Sequence, residues 1–283
     1  MLLILLISFF INSGSDPVLF PEKEISGFRN ALSISNDGKG ALYVIDNESC
    51  EIIKYNEFLS EIKRTGKKGW NDGEFDTPVY VDCSSGLDVY VSDRNNSRIQ
   101  RFDLNLSFVS SLYTNTQTFD EKLKVNYPSA SVILNMSDLY VVDDENKRIV
   151  YYPRGIQPYF SFGGFESAEK PLIKPVKILK DGYNRLYVLD RKQNSIFVYD
   201  NFGTFVKIIS LDKIISFSIS GSNLYILTGA EILVYDTNKN AYQSKIIVDE
   251  SSRNKIITDF LAYSPQKFVI LEKNTLTSYK LIK

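Results

Sequence analysis

Val89-Tyr90-Val91-Ser92-Asp93, followed by Arg94-Asn95-Asn96-Ser97-Arg98-Ile99, holds one copy of a phrase that recurs along the chain. Close copies are Leu42-Tyr-Val-Ile-Asp46, Leu139-Tyr-Val-Val-Asp143 and Leu186-Tyr-Val-Leu-Asp190. Leu224-Tyr-Ile-Leu-Thr228 and Lys267-Phe-Val-Ile-Leu271 are weaker ones. The shared aromatic falls at positions 43, 90, 140, 187, 225 and 268, at intervals of 38 to 50 residues. In the first four copies a second aromatic follows 12 residues later, at Tyr55, Phe102, Tyr152 and Tyr199. In three of them a proline stands 12 residues earlier, at Pro78, Pro128 and Pro175. A sustained period of this length is the mark of a repeat architecture.

Working outward from the second copy, one unit reads as four short strands, near Val79–Cys83, Leu87–Asp93, Arg98–Asp103 and Ser107–Tyr113. Gly, Asn, Asp and Ser separate the β-branched and aromatic runs, as in Ser84-Ser85-Gly86 and Leu104-Asn105, and this is strand-turn chemistry. No stretch sustains a helical period. A lone four-stranded sheet cannot cover two apolar faces, whereas sheets stacked around an axis cover one another. The expected fold is therefore all-β: a six-bladed β-propeller of four-stranded antiparallel blades. The sixth unit supplies only three strands, near Ile257–Tyr263, Lys267–Leu271 and Leu276–Ile282. The unassigned stretch from Val18 to Ile25 is expected to be its outermost strand, closing the last blade and removing an open edge.

The repeats resemble the NHL-repeat family of propellers. The second unit carries the resemblance best, with Gly66-x-x-Gly69, Gly73-Glu-Phe75, Pro78, the strand ending in Asp93, Asn95-Asn96-Ser97-Arg98-Ile99 and Phe102. The third unit keeps Asn146 and Arg148-Ile149; in the fourth, Ser195 replaces the Arg; the last two lose the Asp and most of the turn. The resemblance covers most of residues 28–283 and implies the fold more than an activity. The family includes binding scaffolds, RNA binders with basic surfaces and lyases with His-bearing sites.

Composition restricts the chemistry. The 283 residues include no His, and 33 Lys+Arg stand against 34 Asp+Glu. Without His there is no Ser-His-Asp or Cys-His nucleophile and no His-ligated metal. The balanced charge argues against a nucleic-acid partner, and no cofactor is expected. Residues 1–11, MLLILLISFFI, are apolar and too short to span a membrane. With Ser13 and Ser15 ahead of Asp16 they read as a secretory signal peptide over 1–15. The propeller then occupies 16–283, the mature chain has no transmembrane segment, and the location is periplasmic or extracellular.

Asp46, Asp93, Asp143 and Asp190 could suggest a ring of carboxylates around a cation. Whole-blade spacing holds them too far apart, and each is expected to organise the hairpin that follows it. Asp93 and Asp143 are also placed to pair with Arg98 and Arg148. Strand direction puts the second–third and fourth–first connections on one face. That face carries several long loops, one of them with the single Trp, in Lys67-Lys68-Gly69-Trp70-Asn71-Asp72-Gly73. Loops on a rigid scaffold concentrate binding residues, so the candidate partner face is Lys68, Trp70, Asp72, Arg94 and Arg191. Trp70 packed as a lid over the seam between blades is the more ordinary expectation; Trp70 exposed is an anchor. Phe75 is expected in the core. Charges on these loops are mixed in the sequence and suggest no one-sided field. Cys50 and Cys83 fall on opposite faces and are expected to remain free thiols.

The function these features support is an exported, non-enzymatic recognition scaffold that binds a protein, peptide or glycan through one face. The alternative is a propeller hydrolase or lactonase with a carboxylate-held divalent cation at the central channel. It needs carboxylates near the starts of first strands, where Asp76 and Asp259 stand without an evident set.

Overall fold

The computed structural model describes residues 16–116, 120–166, 170–248 and 256–282; the expected signal peptide at 1–15 lies outside the described residues. The first strand is β1 (Val18–Ser26). Four separate four-stranded sheets follow in chain order. They are β2 (Ala31–Asn36), β3 (Leu42–Asp46), β4 (Glu51–Tyr55) and β5 (Glu61–Thr65); then β6 (Pro78–Asp82), β7 (Asp88–Asp93), β8 (Arg98–Asp103) and β9 (Phe108–Tyr113). The third is β10 (Pro128–Leu134), β11 (Asp138–Asp143), β12 (Arg148–Tyr152) and β13 (Phe160–Phe162), and the fourth β14 (Pro175–Lys180), β15 (Leu186–Asp190), β16 (Ser195–Tyr199) and β17 (Phe205–Ser210). The rest of the chain forms β18 (Ser216–Ser220), β19 (Asn223–Leu227), β20 (Glu231–Asp236), β21 (Ala241–Val248), β22 (Ile257–Ser264), β23 (Lys267–Glu272) and β24 (Thr275–Ile282).

The fold is an all-β propeller of four-stranded antiparallel units. Consecutive first strands lie side by side, β2 by β6, β6 by β10, β10 by β14, β14 by β18 and β18 by β22, and β22 returns to β2. One expectation is corrected. The last seven strands and β1 do not make separate four-stranded sheets but one eight-stranded sheet, ordered β18-β19-β20-β21-β1-β24-β23-β22. As expected, β1 runs antiparallel to β24, from Val18 opposite Ile282 to Ser26 opposite Thr275. It also pairs parallel with β21 at Val18–Ile247 and Leu19–Val248, and Lys245 pairs with Asp16 at 3.1 Å. The outer edges of two units are thus stitched together, because an unpaired row of N–H and C=O groups on either edge would otherwise face water.

Burial falls outward within a sheet. Every residue of β15 (LYVLD) is buried, whereas β5 (EIKRT) is almost wholly exposed. An apolar layer separates each unit from the next; between the first two sheets it holds Tyr43, Ile45 and Ile52 against Val81, Val89, Val91 and Phe102. The recurring Tyr does more than fill this layer. In two copies its hydroxyl reaches the outer turn of the next sheet, Tyr43 donating to the Leu104 carbonyl at 2.8 Å and Tyr140 to that of Asn201 at 2.6 Å, whereas Tyr187 donates to Asp181 of its own sheet. Pro78, Pro128 and Pro175 each open a first strand beside a bulge, where a missing N–H breaks no ladder bond. Both thiols are free and buried, and burial pushes the pKa of Cys50 and Cys83 up, so neither is a ready nucleophile.

Candidate functional site

The first strands set one level of the channel. Pairing places Ser33 opposite Ile45, Tyr80 opposite Ser92, Ala130 opposite Val142, Lys177 opposite Leu189, Ser216 opposite Leu227 and Asp259 opposite Leu271. All six inner residues are buried. A buried polar atom is costly unless bonded, and these side chains bond from one strand to another. Ser33 Oγ accepts from Val81 N at 3.2 Å and Asp259 Oδ2 from Ile34 N at 3.0 Å. One level away, Ser35 Oγ accepts from Cys83 N, Asp82 Oδ2 from Ile133 N and Ser218 Oγ from Ala262 N. Lys180 Nζ donates to the Ile133 carbonyl. Side-chain latches therefore run around the whole ring.

Lys177 and Asp259 are the charged members. Lys177 Nζ lies 2.5 Å from Asp259 Oδ1, and the side chains are 8% and 5% exposed. The ammonium also donates to Ser216 Oγ at 3.2 Å and to the Phe260 carbonyl at 3.3 Å. Ser216 Oγ donates to the same Asp259 oxygen at 2.7 Å. Tyr80, whose pKa burial raises well above its ordinary value, donates to the Ile178 carbonyl at 2.7 Å. That bond joins the first strands of the second and fourth sheets past the third. The space left is a cavity of about 50 Å³, lined by Tyr80, Lys177, Ser216 and Asp259 with Arg191 and Thr258 among its other walls. It has room for a few waters and is far below the several hundred Å³ of a small-molecule pocket.

The Trp70 loop is the second feature of this face. Gly66 opens it at φ +109°, with a Cβ position only 2.5 Å from the Cys50 carbonyl oxygen, so a side chain there would collide with backbone. Arg98 is wholly buried and sits under the loop. It donates to the carbonyls of Trp70 at 2.8 Å, Asn71 at 3.1 Å and Glu74 at 2.8 Å, and its Nε pairs with Asp93 at 3.0 Å. Gln100 donates to the Glu74 carbonyl and accepts from Gly73 N. The backbone is thus fixed while the Trp70 side chain is 76% exposed. The expectation of a packed lid is corrected: the loop's own apolar anchor is Phe75, which is fully buried as expected, and this leaves the indole in solvent.

The recurring aspartates act locally, with a difference from expectation. Asp143 and Asp190 accept from their own turns, at Glu145 N and Lys192 N. Asp46 instead reaches back to the incoming loop, at Asn30 N (2.8 Å), while Asp93 and Asp190 do both, Asp93 accepting from Thr77 N (3.1 Å) and from Asn96 Nδ2 (2.7 Å) in its own turn. Asp143 pairs with Arg148 at 3.0 Å. Among the described residues no three Asp, Glu or Cys side chains converge as metal ligands. Of the two carboxylates that the alternative reading had near first strands, Asp259 is bonded to Lys177 and Asp76 to Lys68.

The five expected face residues do not form one cluster of shared bonds. Lys68, Trp70 and Asp72 share a loop. Arg94 is engaged between sheets, 2.8 Å from Asp144 and 4.7 Å above the Tyr127 ring. Arg191 belongs to the channel mouth. Lys177 and Ser216 were missed by sequence reading. The available signal was one of register: Lys177 stands two residues after Pro175, where the other proline-led strands carry Tyr80 and Ala130.

No family model matches the sequence, and no curated protein matches it either. Among solved structures the chain is similar to a streptogramin B lyase, with a TM-score of 0.63 at 11% identity over 94% of this chain and 98% of that one. It is similar to virginiamycin B lyase from Staphylococcus aureus, with a TM-score of 0.62 at 12% identity over 92% and 99%. A catalytically inactive histidine-to-alanine variant of that lyase with quinupristin aligns at 0.60 and 14% identity over 96% and 83%. At these identities the likeness establishes the propeller fold alone. Among the described residues no helix is long and apolar enough to cross a membrane.

Proposed function

We propose that the chain is a six-bladed propeller of NHL-like repeats, exported to the periplasm or cell exterior, that serves as a non-enzymatic recognition scaffold. The partner is a protein, peptide or glycan, bound on the face that carries Trp70 and the channel mouth. The six-blade count treats the eight-stranded sheet as two blades joined through β1, in keeping with the closed circuit of six first strands. The observation that carries the reading is the Trp70 indole, 76% exposed on a backbone that the buried Arg98 holds still. A rigid exposed aromatic loses little freedom on binding and removes much apolar surface from water.

A second reading, an enzyme, is favoured by the lyases among the structural neighbours. Two features weigh against it. The neighbour described as inactive lost a histidine, and this chain has none. The channel carboxylate is neutralised from within by Lys177. Capture of partners from an envelope extract, with Trp70→Ala as the control, tests the scaffold; a variant that retains every partner rules this surface out. Melting with and without Ca²⁺, Zn²⁺ and Mn²⁺ tests the enzyme, and a specific upward shift supports a metal-dependent site.

A further inference from the structure

Charges that look mixed in the sequence are segregated on the folded face. Around the second and third sheets most cations are paired: Lys67 with Glu74, Lys68 with Asp76, Lys124 with Glu121, and Arg94 and Lys147 with Asp144, Lys122 being an exposed exception. Around the starts of β14 and β18 they are not. Lys174, Arg191, Lys192 and Lys213 are all exposed, and none makes a salt bridge among the described residues. The fold brings them together. Lys174 precedes the strand that carries Lys177, and its carbonyl accepts from Arg191 N at 2.9 Å. The Arg191 guanidinium lies 3.5 Å from the Ile215 carbonyl, two residues beyond Lys213. Arg191 also walls the channel cavity. Among the described residues the exposed acids nearest in sequence are Asp212 and Glu166, fewer than the cations.

We propose that this basic rim binds an acidic peptide segment of a partner protein, with one carboxylate seated at the channel mouth beside Arg191. The proposal rests on the scaffold reading and names the partner's chemistry. The cavity's volume of about 50 Å³ admits a carboxylate group but no drug-sized molecule, so most of the ligand lies outside on the rim. Four exposed cations with no ion pair among the described residues, spread over two units, fit an extended anion rather than a point charge. Lys177 does not compete for it, because Asp259 already neutralises its charge. The exposed Ile173, next to Lys174, offers an apolar contact that a peptide can use.

The test is fluorescence anisotropy of a labelled oligoglutamate peptide on the intact protein. A glycine-serine peptide and a single-stranded oligonucleotide of equal charge serve as comparisons. Expected are binding of oligoglutamate that weakens with salt, no binding of the neutral peptide, and a loss of about tenfold or more in Arg191→Glu/Lys192→Glu. The control reversal Lys239→Glu/Lys280→Glu, away from the rim with the same change in net charge, is expected to leave affinity within about twofold. Equal loss in both variants, or tighter binding of the oligonucleotide, overturns the proposal. Extract partners lost with Trp70→Ala yet kept by the rim variant would overturn it too while leaving the scaffold reading intact. If the two variants lose no partner at all, both readings fall together.

Discussion

The second sheet and the eight-stranded sheet are built from the same phrase and are held by different means. In the second sheet the loop is fastened locally: Asp93, Asn96, Arg98 and Gln100 bind the loop that leads into their own strands. In the eight-stranded sheet Thr228 and Leu271 stand where the Asp would be, and long-range contacts take over. β1 joins β21 and β24, and Asp259 reaches Lys177 and Ile34. Where repeat chemistry decays, closure of the ring supplies the missing order.

The sharpest way to break this contrast is to remove residues 16–26. The loss exposes two strand edges and is expected to lower the whole melting transition by about 10 °C or more, an effect on the order of 5 kcal/mol. Calorimetry showing an unchanged midpoint would refute the role of β1. Next is Arg98→Met, which strands Asp93 in the interior and is expected to cost about 3–5 kcal/mol. Its signature is local: anisotropy and quenching of the single Trp should report a loosened loop, whereas a Trp signal identical to the parent's argues against pinning. Lys177→Met follows, at about 3 kcal/mol from the unpaired Asp259, with no change in the Trp signal. Adding Asp259→Asn should restore roughly half of that loss; an additive double variant in denaturant titrations would contradict the pairing. Smallest is a pH effect at Asp82, whose carboxyl burial pushes up from its ordinary 3.8. A raised folded pKa means stability present below the unfolded value and lost as pH rises through the folded one. Asp82→Asn removes that loss, so its Tm relative to the parent should climb from acid to neutral pH. A flat difference would remove burial as the cause.

Much of the architecture was legible because it is periodic. Tyr43, Tyr90, Tyr140 and Tyr187 mark their strands, and the stretch from Val18 to Ile25 had no other place to pair. The stitch from β1 to β21 was not legible, since only two residue pairs carry it and no pattern announces them. At the site, Trp70 and Arg191 could be picked from loop position alone. Lys177 could not, because a lysine in a short strand ordinarily reads as solvent-facing, and its partner lies 82 residues away. The charge segregation was hidden for the same reason: which lysines remain free depends on which carboxylates fold back onto their neighbours.

The pairing of Val18–Ser26 with Thr275–Ile282 also sets a timetable. At roughly 5–20 residues per second of synthesis, β1 leaves the ribosome well over ten seconds before its antiparallel neighbour exists. Until then the nascent ring has an open gap and a free ribbon that could be captured by another chain. Any chaperone that guards this protein during production would have its most useful post at that early ribbon.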